Sequence, residues 1–105
     1  MEMLGFEAER WSEGINYLRG EDASYLCLLE AVPEYSSEGF HRKRVGLNHL
    51  AFKAKSREHV DEIRDWLQTS GHPLLYDDRY PFATGPDYYA LFCEDPDRIK
   101  IEVVA

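Results

Sequence analysis

Three side chains in this 105-residue chain combine metal-ligating chemistry with an apolar setting: His49, Glu102 and Glu30. Glu102 lies in the run Ile99-Lys100-Ile101-Glu102-Val103-Val104, and Glu30 lies near the end of Leu26-Cys27-Leu28-Leu29-Glu30-Ala31-Val32. A lone charge buried in such a strand is costly, so each acid calls for a partner. An imidazole with carboxylates from neighbouring strands suits a divalent ion (Zn, Ni, Fe, Mn or Co), because these donors are borderline to hard. Simpler readings compete with a metal. A strand histidine is often a hydrogen-bonded core residue, and Glu30 can be solvated at its strand end. Lys100 shares a strand face with Glu102 and can neutralise it directly.

The elements that carry these residues follow from periodicity. Alternation predicts a strand from Gly5 to Trp11, a turn at Glu13-Gly14, a strand from Ile15 to Leu18, a turn at Gly20-Glu21-Asp22 and a strand from Tyr25 to Val32. Pro33 to Arg44 mixes Pro, Ser, Gly and charge without a period and reads as a linker. Val45 to Lys53 is the next strand. Ser56 then caps a helix with Val60, Ile63 and Leu67 on one face, and Gly71 fits the position that ends it. A short strand from Leu74 to Tyr76 and a loop from Pro81 to Asp87 follow. Strands Tyr88–Cys93 and Ile99–Val104 close the chain, joined by Asp95-Pro96-Asp97-Arg98.

Side chains alternate faces along a strand, so facing can be deduced. If Leu50 and Phe52 pack under the helix, His49 points to the opposite side. If Ile99, Ile101 and Val103 pack under the same helix, Glu102 also points away from it. The same alternation puts Cys27, Leu29 and Ala31 on the helix side and Glu30 on the other. All three candidates then face the concave side of a curved sheet as a three-ligand set.

Composition narrows the function classes. Twenty acidic against twelve basic residues give a net charge of −8, which disfavours nucleic acid and anionic membranes as partners and is compatible with a cationic ligand or a metal. No run approaches the roughly 18 apolar residues that a membrane span requires. Met1-Glu2-Met3-Leu4-Gly5-Phe6 lacks a signal-peptide pattern. Cys27 and Cys93 have no metal-type spacing, are expected to act as small hydrophobes within strands, and fit a reducing cytoplasm. His41, His59 and His72 read as surface residues. Among Tyr76, Tyr80, Phe82, Tyr88 and Tyr89, one or two are expected to line an apolar pocket. There is no phosphate-cradling glycine loop and no nucleophile elbow.

Gly46-Leu47-Asn48-His49-Leu50-Ala51-Phe52, the helix ending at Gly71, and Tyr89-Ala90-Leu91-Phe92-Cys93-Glu94-Asp95-Pro96-Asp97 followed by Ile101-Glu102 together resemble the vicinal oxygen chelate superfamily. That group includes glyoxalase I, bleomycin-resistance proteins and extradiol dioxygenases. The resemblance covers residues 45–105 well and 4–32 loosely. It implies a single α+β domain with a curved mixed β-sheet built from βαβββ modules: a shortened first module at 1–32, a linker at 33–44 and a complete module at 45–105. Members take a metal ligand from the first strand (His) and the last strand (Glu) of each module. By position this implies His49 and Glu102 as ligands, Glu30 as a ligand or general base, and Tyr89 as a substrate contact. The first module's histidine has no counterpart. Arg98 stands where a glycine is common and is expected at φ > 0, at a cost on the order of 1 kcal/mol.

The activity implied is a glyoxalase-like metal-dependent lyase or isomerase, or a dioxygenase-type enzyme, acting on a small substrate that chelates through two oxygens. A non-catalytic protein sequestering a cationic small molecule is the alternative, and a shortened chain with no surviving site is a third reading. His49 beside Glu102 favours the enzyme; the net charge and the missing histidine favour the binder.

A homodimer is also expected. The face of the third strand bearing Tyr25, Cys27, Leu29 and Ala31 has no module helix to cover it, and an apolar patch of about several hundred Å² is unusual on a soluble monomer. At about 25 cal/mol per Å², covering it contributes several kcal/mol before association costs. Sedimentation equilibrium at micromolar concentration is expected to give a dimer, with Leu29→Glu shifting it toward monomer.

Overall fold

In a computed structural model, residues 1–20 and 24–105 are described. The turn expected over Glu21 and Asp22 lies outside them. The chain divides into two units, Met1–Gly39 and Phe40–Ala105. The fold is α+β with a three-stranded and a four-stranded sheet, and no described helix is long and apolar enough to cross a membrane.

The first unit is an antiparallel meander of β1 (Glu7–Trp11), β2 (Gly14–Arg19) and β3 (Ser24–Leu29), in that order across the sheet. The tight β1–β2 connection needs Gly14, since a Cβ there would lie 2.3 Å from the carbonyl oxygen of Leu28. Phe6 is the buried aromatic of this unit, and the Arg19 guanidinium stacks over its ring at 5.3 Å. β3 stops at Leu29, short of the expected Val32, because its partner β2 begins at Gly14, the residue paired with Leu29. Glu30 therefore leaves the ladder, though its N–H still reaches the Glu13 carbonyl. The stretch expected to be an unstructured linker contains a one-turn helix, α1 (Pro33–Ser36), started by a proline whose fixed φ suits the first helical position. Tyr25 and Leu29 are 63% and 65% exposed. Cys27 is exposed as well, where a small hydrophobe within a strand is expected.

The second unit runs β4 (His49–Lys53), α2 (Arg57–Thr69), β5 (Leu74–Leu75), β6 (Ala90–Glu94) and β7 (Lys100–Val104). Its sheet has the order β4-β7-β6-β5, with β4 and β7 parallel and the other pairs antiparallel. Capping sets the ends of α2. The Ser56 hydroxyl accepts the His59 N–H, and Gly71 at φ 75 lets the His72 N–H return to the Leu67 carbonyl. Val60, Ile63 and Leu67 form the buried stripe, as the period implies, and the sheet supplies Phe52, Leu91, Cys93 and Val103 to the same core.

Strand boundaries shift from the expected ones, at the starts of β4 and β6 for lack of a partner and at the end of β5 through a backbone turn. β4 begins at His49 and not at Val45, because β7 offers pairing only from Lys100. β6 begins at Ala90, opposite Val104 at the other end of β7, so Tyr88 and Tyr89 lie outside the ladder. β5 ends at Leu75, because Tyr76 turns to φ 55, ψ 27 and opens a 3-10 turn over Asp77–Arg79. Arg98 adopts φ 69, as its place in the last turn implies. There Asp95 Oδ1 accepts from the N–H groups of Asp97 and Ile99.

The two thiols are set apart by burial. Desolvation pushes the Cys93 thiol up to about 11 from an ordinary 9.0. In native protein at mildly alkaline pH, iodoacetamide is expected to alkylate Cys27 and spare Cys93, with both reacting after denaturation. The raised value also means that the stability Cys93 contributes is complete below pH 9.0 and lost as pH rises toward about 11. Cys93→Ala should lessen that alkaline loss in a pH series of urea unfolding curves.

Candidate functional site

The β4–β7 pairing builds the site. His49 is registered with Lys100, and Ala51 with Glu102, so all four side chains belong to the sheet face away from α2. β6 places Phe92 opposite Glu102 on that same face. Together with Tyr76, Arg79 and Tyr88 these residues line an open pocket of about 400 Å³, a volume suited to a small molecule.

Glu102 is 5% exposed, so its carboxylate depends on partners. His49 Nε2 lies 3.1 Å from Oε2, and the Tyr88 hydroxyl donates to Oε1. Each oxygen thus has a polar partner, the imidazole forming an ion pair with Oε2 when it is protonated. His49 Nδ1 lies 2.7 Å from Asn48 Oδ1, a contact that sets the ring plane and keeps Nε2 aimed at Glu102. The hydrogen bond to the carboxylate, with partial burial, holds the Tyr88 phenol above its ordinary pKa.

The opposite wall is cationic and aromatic. The Arg79 guanidinium lies over the Tyr76 ring at 5.1 Å, and Lys100 Nζ sits 5.1 Å from the Tyr76 centroid and 5.0 Å from that of Phe92. Tyr76 and Phe92 themselves meet edge to face at 5.5 Å. A hydrogen bond from Lys100 lowers the Tyr76 phenol pKa. Tyr76 is held in the left-handed region, which costs a non-glycine residue about 1–3 kcal/mol and persists only where surroundings enforce it. The enforcing contacts come from α2. Arg64 clamps Asp77 through two bonds of 2.9 and 3.0 Å and stacks over Tyr80, while Asp61 accepts from the hydroxyls of Tyr80 and Tyr89. Burial, then the bond to Asp61, drives the Tyr80 phenol strongly upward.

The residues singled out by sequence fall in different places. His49 and Glu102 come together. Glu30 lies exposed in the first unit, just past β3, and among the described residues no group of three or more His, Cys, Asp or Glu is arranged to hold a metal. Tyr89, expected as a substrate contact, bonds to Asp61 of α2 at 2.6 Å and stacks against Tyr80 and Phe82. Lys100, weighed as the partner of Glu102, turns to the rings of Tyr76 and Phe92. Of the aromatics expected at a pocket, Tyr76 and Tyr88 line it, and of the pocket-lining residues named above only Arg79 has no place in the sequence reading. Tyr88 was within reach of the two-residue period, since it shares parity with Ala90 and Phe92 on the pocket face. Arg79, in a short loop helix, carries no periodic signal.

No family model matches the chain. Over 103 residues it is 48% identical to the uncharacterized protein YqjT of Bacillus subtilis (strain 168), an alignment covering 97% of this chain and 79% of that protein. The crystal structure of a candidate glyoxalase from Bacillus halodurans is 51% identical and superposes with a TM-score of 0.94, covering 99% of this chain and 77% of that one. A glyoxylase/bleomycin resistance protein/dioxygenase domain from Frankia sp. is 21% identical, with a TM-score of 0.70 over 98% of this chain and 75% of that chain, a likeness of fold alone.

Replacing Tyr88 by Phe removes the donor to Glu102 Oε1. The expected loss is about 1 kcal/mol in urea unfolding, below the roughly 1.5–3 kcal/mol usual for a bond to a charged group because Tyr88 is itself 39% exposed. The phenol must be protonated to donate and its pKa is raised. The difference between wild type and Tyr88→Phe should therefore be full at neutral pH and shrink as pH rises through the raised value.

Proposed function

The chain belongs to the vicinal oxygen chelate superfamily of glyoxalases, bleomycin-resistance proteins and dioxygenases, and from that membership we propose that it is a metal-dependent enzyme acting on a small substrate that chelates through two oxygens. The reaction is a glyoxalase-like lyase or isomerase step, or a dioxygenase-type step. The observation that carries this reading is the His49–Glu102 pair on the wall of a pocket of about 400 Å³. Members of the superfamily commonly use divalent metals.

The donors suit such an ion. Bonds of about 2.0–2.2 Å to adjacent positions on one metal put the two donor atoms about 3 Å apart. His49 Nε2 and Glu102 Oε2 are separated by 3.1 Å. His49 and Glu102 would hold such a cation, which would supply Lewis-acid polarisation of substrate oxygens. The chain's own residues have definable tasks. Asn48 orients the His49 ring, Tyr88 occupies Oε1 so that Oε2 stays directed at His49, and Tyr76 and Phe92 form an apolar wall that orients substrate. Glu30 is the sequence's candidate for a third ligand or general base. The exposed face of β3 supports a homodimer, and the free thiols of Cys27 and Cys93 support a reducing cytoplasm.

The alternative, a metal-free binder of a cationic small molecule, draws on the net charge of −8. Arg79 and Lys100 on the pocket wall weigh against it, since they repel a cation.

Metal analysis of protein purified without chelator decides between them. Wild type is expected to retain divalent metal, and His49→Ala and Glu102→Gln to lose most of it. Equal metal content in wild type and His49→Ala would remove His49 as a ligand and with it the enzyme reading. Glu30→Gln, measured alongside, tests its candidacy as a third donor.

A further inference from the structure

The geometry points to Arg79 and Lys100, both braced on Tyr76, as a subsite for an anionic headgroup of the ligand, a carboxylate or a phosphoryl group, beside the His49–Glu102 pair. The assignment rests on reading this pocket as the ligand site, and it names the substrate class that the site selects.

Charge accounting leads to it. Three of the acids near the pocket have cationic or hydrogen-bonding partners: Asp77 is held by Arg64, Glu94 by Arg42 at 2.9 Å and Arg98 at 3.6 Å, and Glu102 by His49 and Tyr88, while Asp78, beside Arg79 in the same turn, is exposed to solvent. Among the described residues, neither Arg79 nor Lys100 takes part in an ion pair, although both line the pocket and the chain carries 20 acidic residues against 12 basic. Each is held instead on an aromatic face. A ring positions a cation without neutralising it, so both charges remain available to an incoming anion. A ligand anion would be met by two cations through charge-assisted bonds, the strong class of hydrogen bond.

The subsite is also preorganised. Tyr76, on which both cations rest, sits in a left-handed conformation, and the turn bearing Arg79 is pinned to α2 by the bidentate Arg64–Asp77 pair. An arginine left to decorate the surface needs no such support. A strained residue enforced by its neighbours at a pocket wall is the arrangement expected where a ligand is clamped.

The test uses chelator-treated protein, so that metal plays no part, and NMR titration with benzoate and its neutral isostere benzamide. Wild type is expected to bind benzoate about tenfold more tightly than benzamide. Arg79→Gln and Lys100→Gln should each weaken benzoate severalfold without affecting benzamide, the double variant should erase the preference, and Arg79→Lys should restore part of it. Arg79 is exposed, so its variants are expected to fold, and unchanged amide spectra outside the pocket check this. Inorganic phosphate added as competitor distinguishes the headgroups: displacement of benzoate supports a phosphoryl-bearing ligand, and no displacement supports a carboxylate. Equal affinity for benzoate and benzamide, no binding of either, or a preference that survives in the double variant would each overturn the subsite. These results are separable from the metal reading. Benzoate preference without retained metal sinks the enzyme and leaves the subsite, whereas metal retention through His49 without benzoate preference does the reverse.

Discussion

A carboxylate placed in the middle of a sheet governs the second unit. Glu102 is 5% exposed on β7, between neighbours β4 and β6, and a buried charge without partners is not tolerated. The parallel register of β4 on β7 supplies one partner, because it puts His49 on the same face one step from Glu102. The chain entering β6 supplies the other through the Tyr88 hydroxyl. Neither partner is local in sequence, so the satisfied carboxylate exists only when the sheet order β4-β7-β6 is complete. Sheet topology and site chemistry are thereby the same constraint.

Two successive tyrosines carry that constraint to both faces of the sheet. Tyr88 grips Glu102 on the pocket side, while Tyr89 grips Asp61 on the helix side. Asp61 also accepts from Tyr80, and Arg64, one turn along α2, clamps Asp77. The segment between β5 and β6 is therefore tied to α2 at its beginning and to both layers at its end. This explains how a segment with little regular structure can present Tyr76 and Arg79 in a defined arrangement. Short polar ties of this kind hold position, whereas the apolar stripe of Val60, Ile63 and Leu67 supplies the burial that stabilises the unit.

Charge is distributed against the overall balance. A chain of net charge −8 places on one pocket wall two cations that, among the described residues, have no ion-pair partner, and it pairs Asp77 and Glu94 nearby with other arginines. Net charge alone pointed toward a cationic ligand. It describes the average surface, while recognition depends on the few charges inside a concave site, where the field is focused and solvent screening is reduced. The first unit differs in kind. Its meander buries Phe6 but leaves Tyr25, Leu28 and Leu29 open, so its apolar strands function as a surface and not as a core.

Much of this was legible from residue order because the relevant physics is local. Ser56 and Gly71 bound α2, the 3.6-residue stripe selects its buried face, Arg98 takes the positive φ that its turn demands, and two-residue alternation puts His49 and Glu102 on one side. Alternation identifies a face, however, and never a neighbour. Which of Tyr88 and Tyr89 meets Glu102, whether Lys100 neutralises that acid or stacks on Tyr76, and where β3, β4 and β6 stop are all decided by partners distant in sequence. The same holds for Cys27, apolar in its strand yet exposed, since burial depends on what lies across the face and not on the strand itself. Arg79 marks the limit of such reading. Its place in the site comes from a loop held by side-chain bonds to a helix, a relation that leaves no periodic trace in the chain.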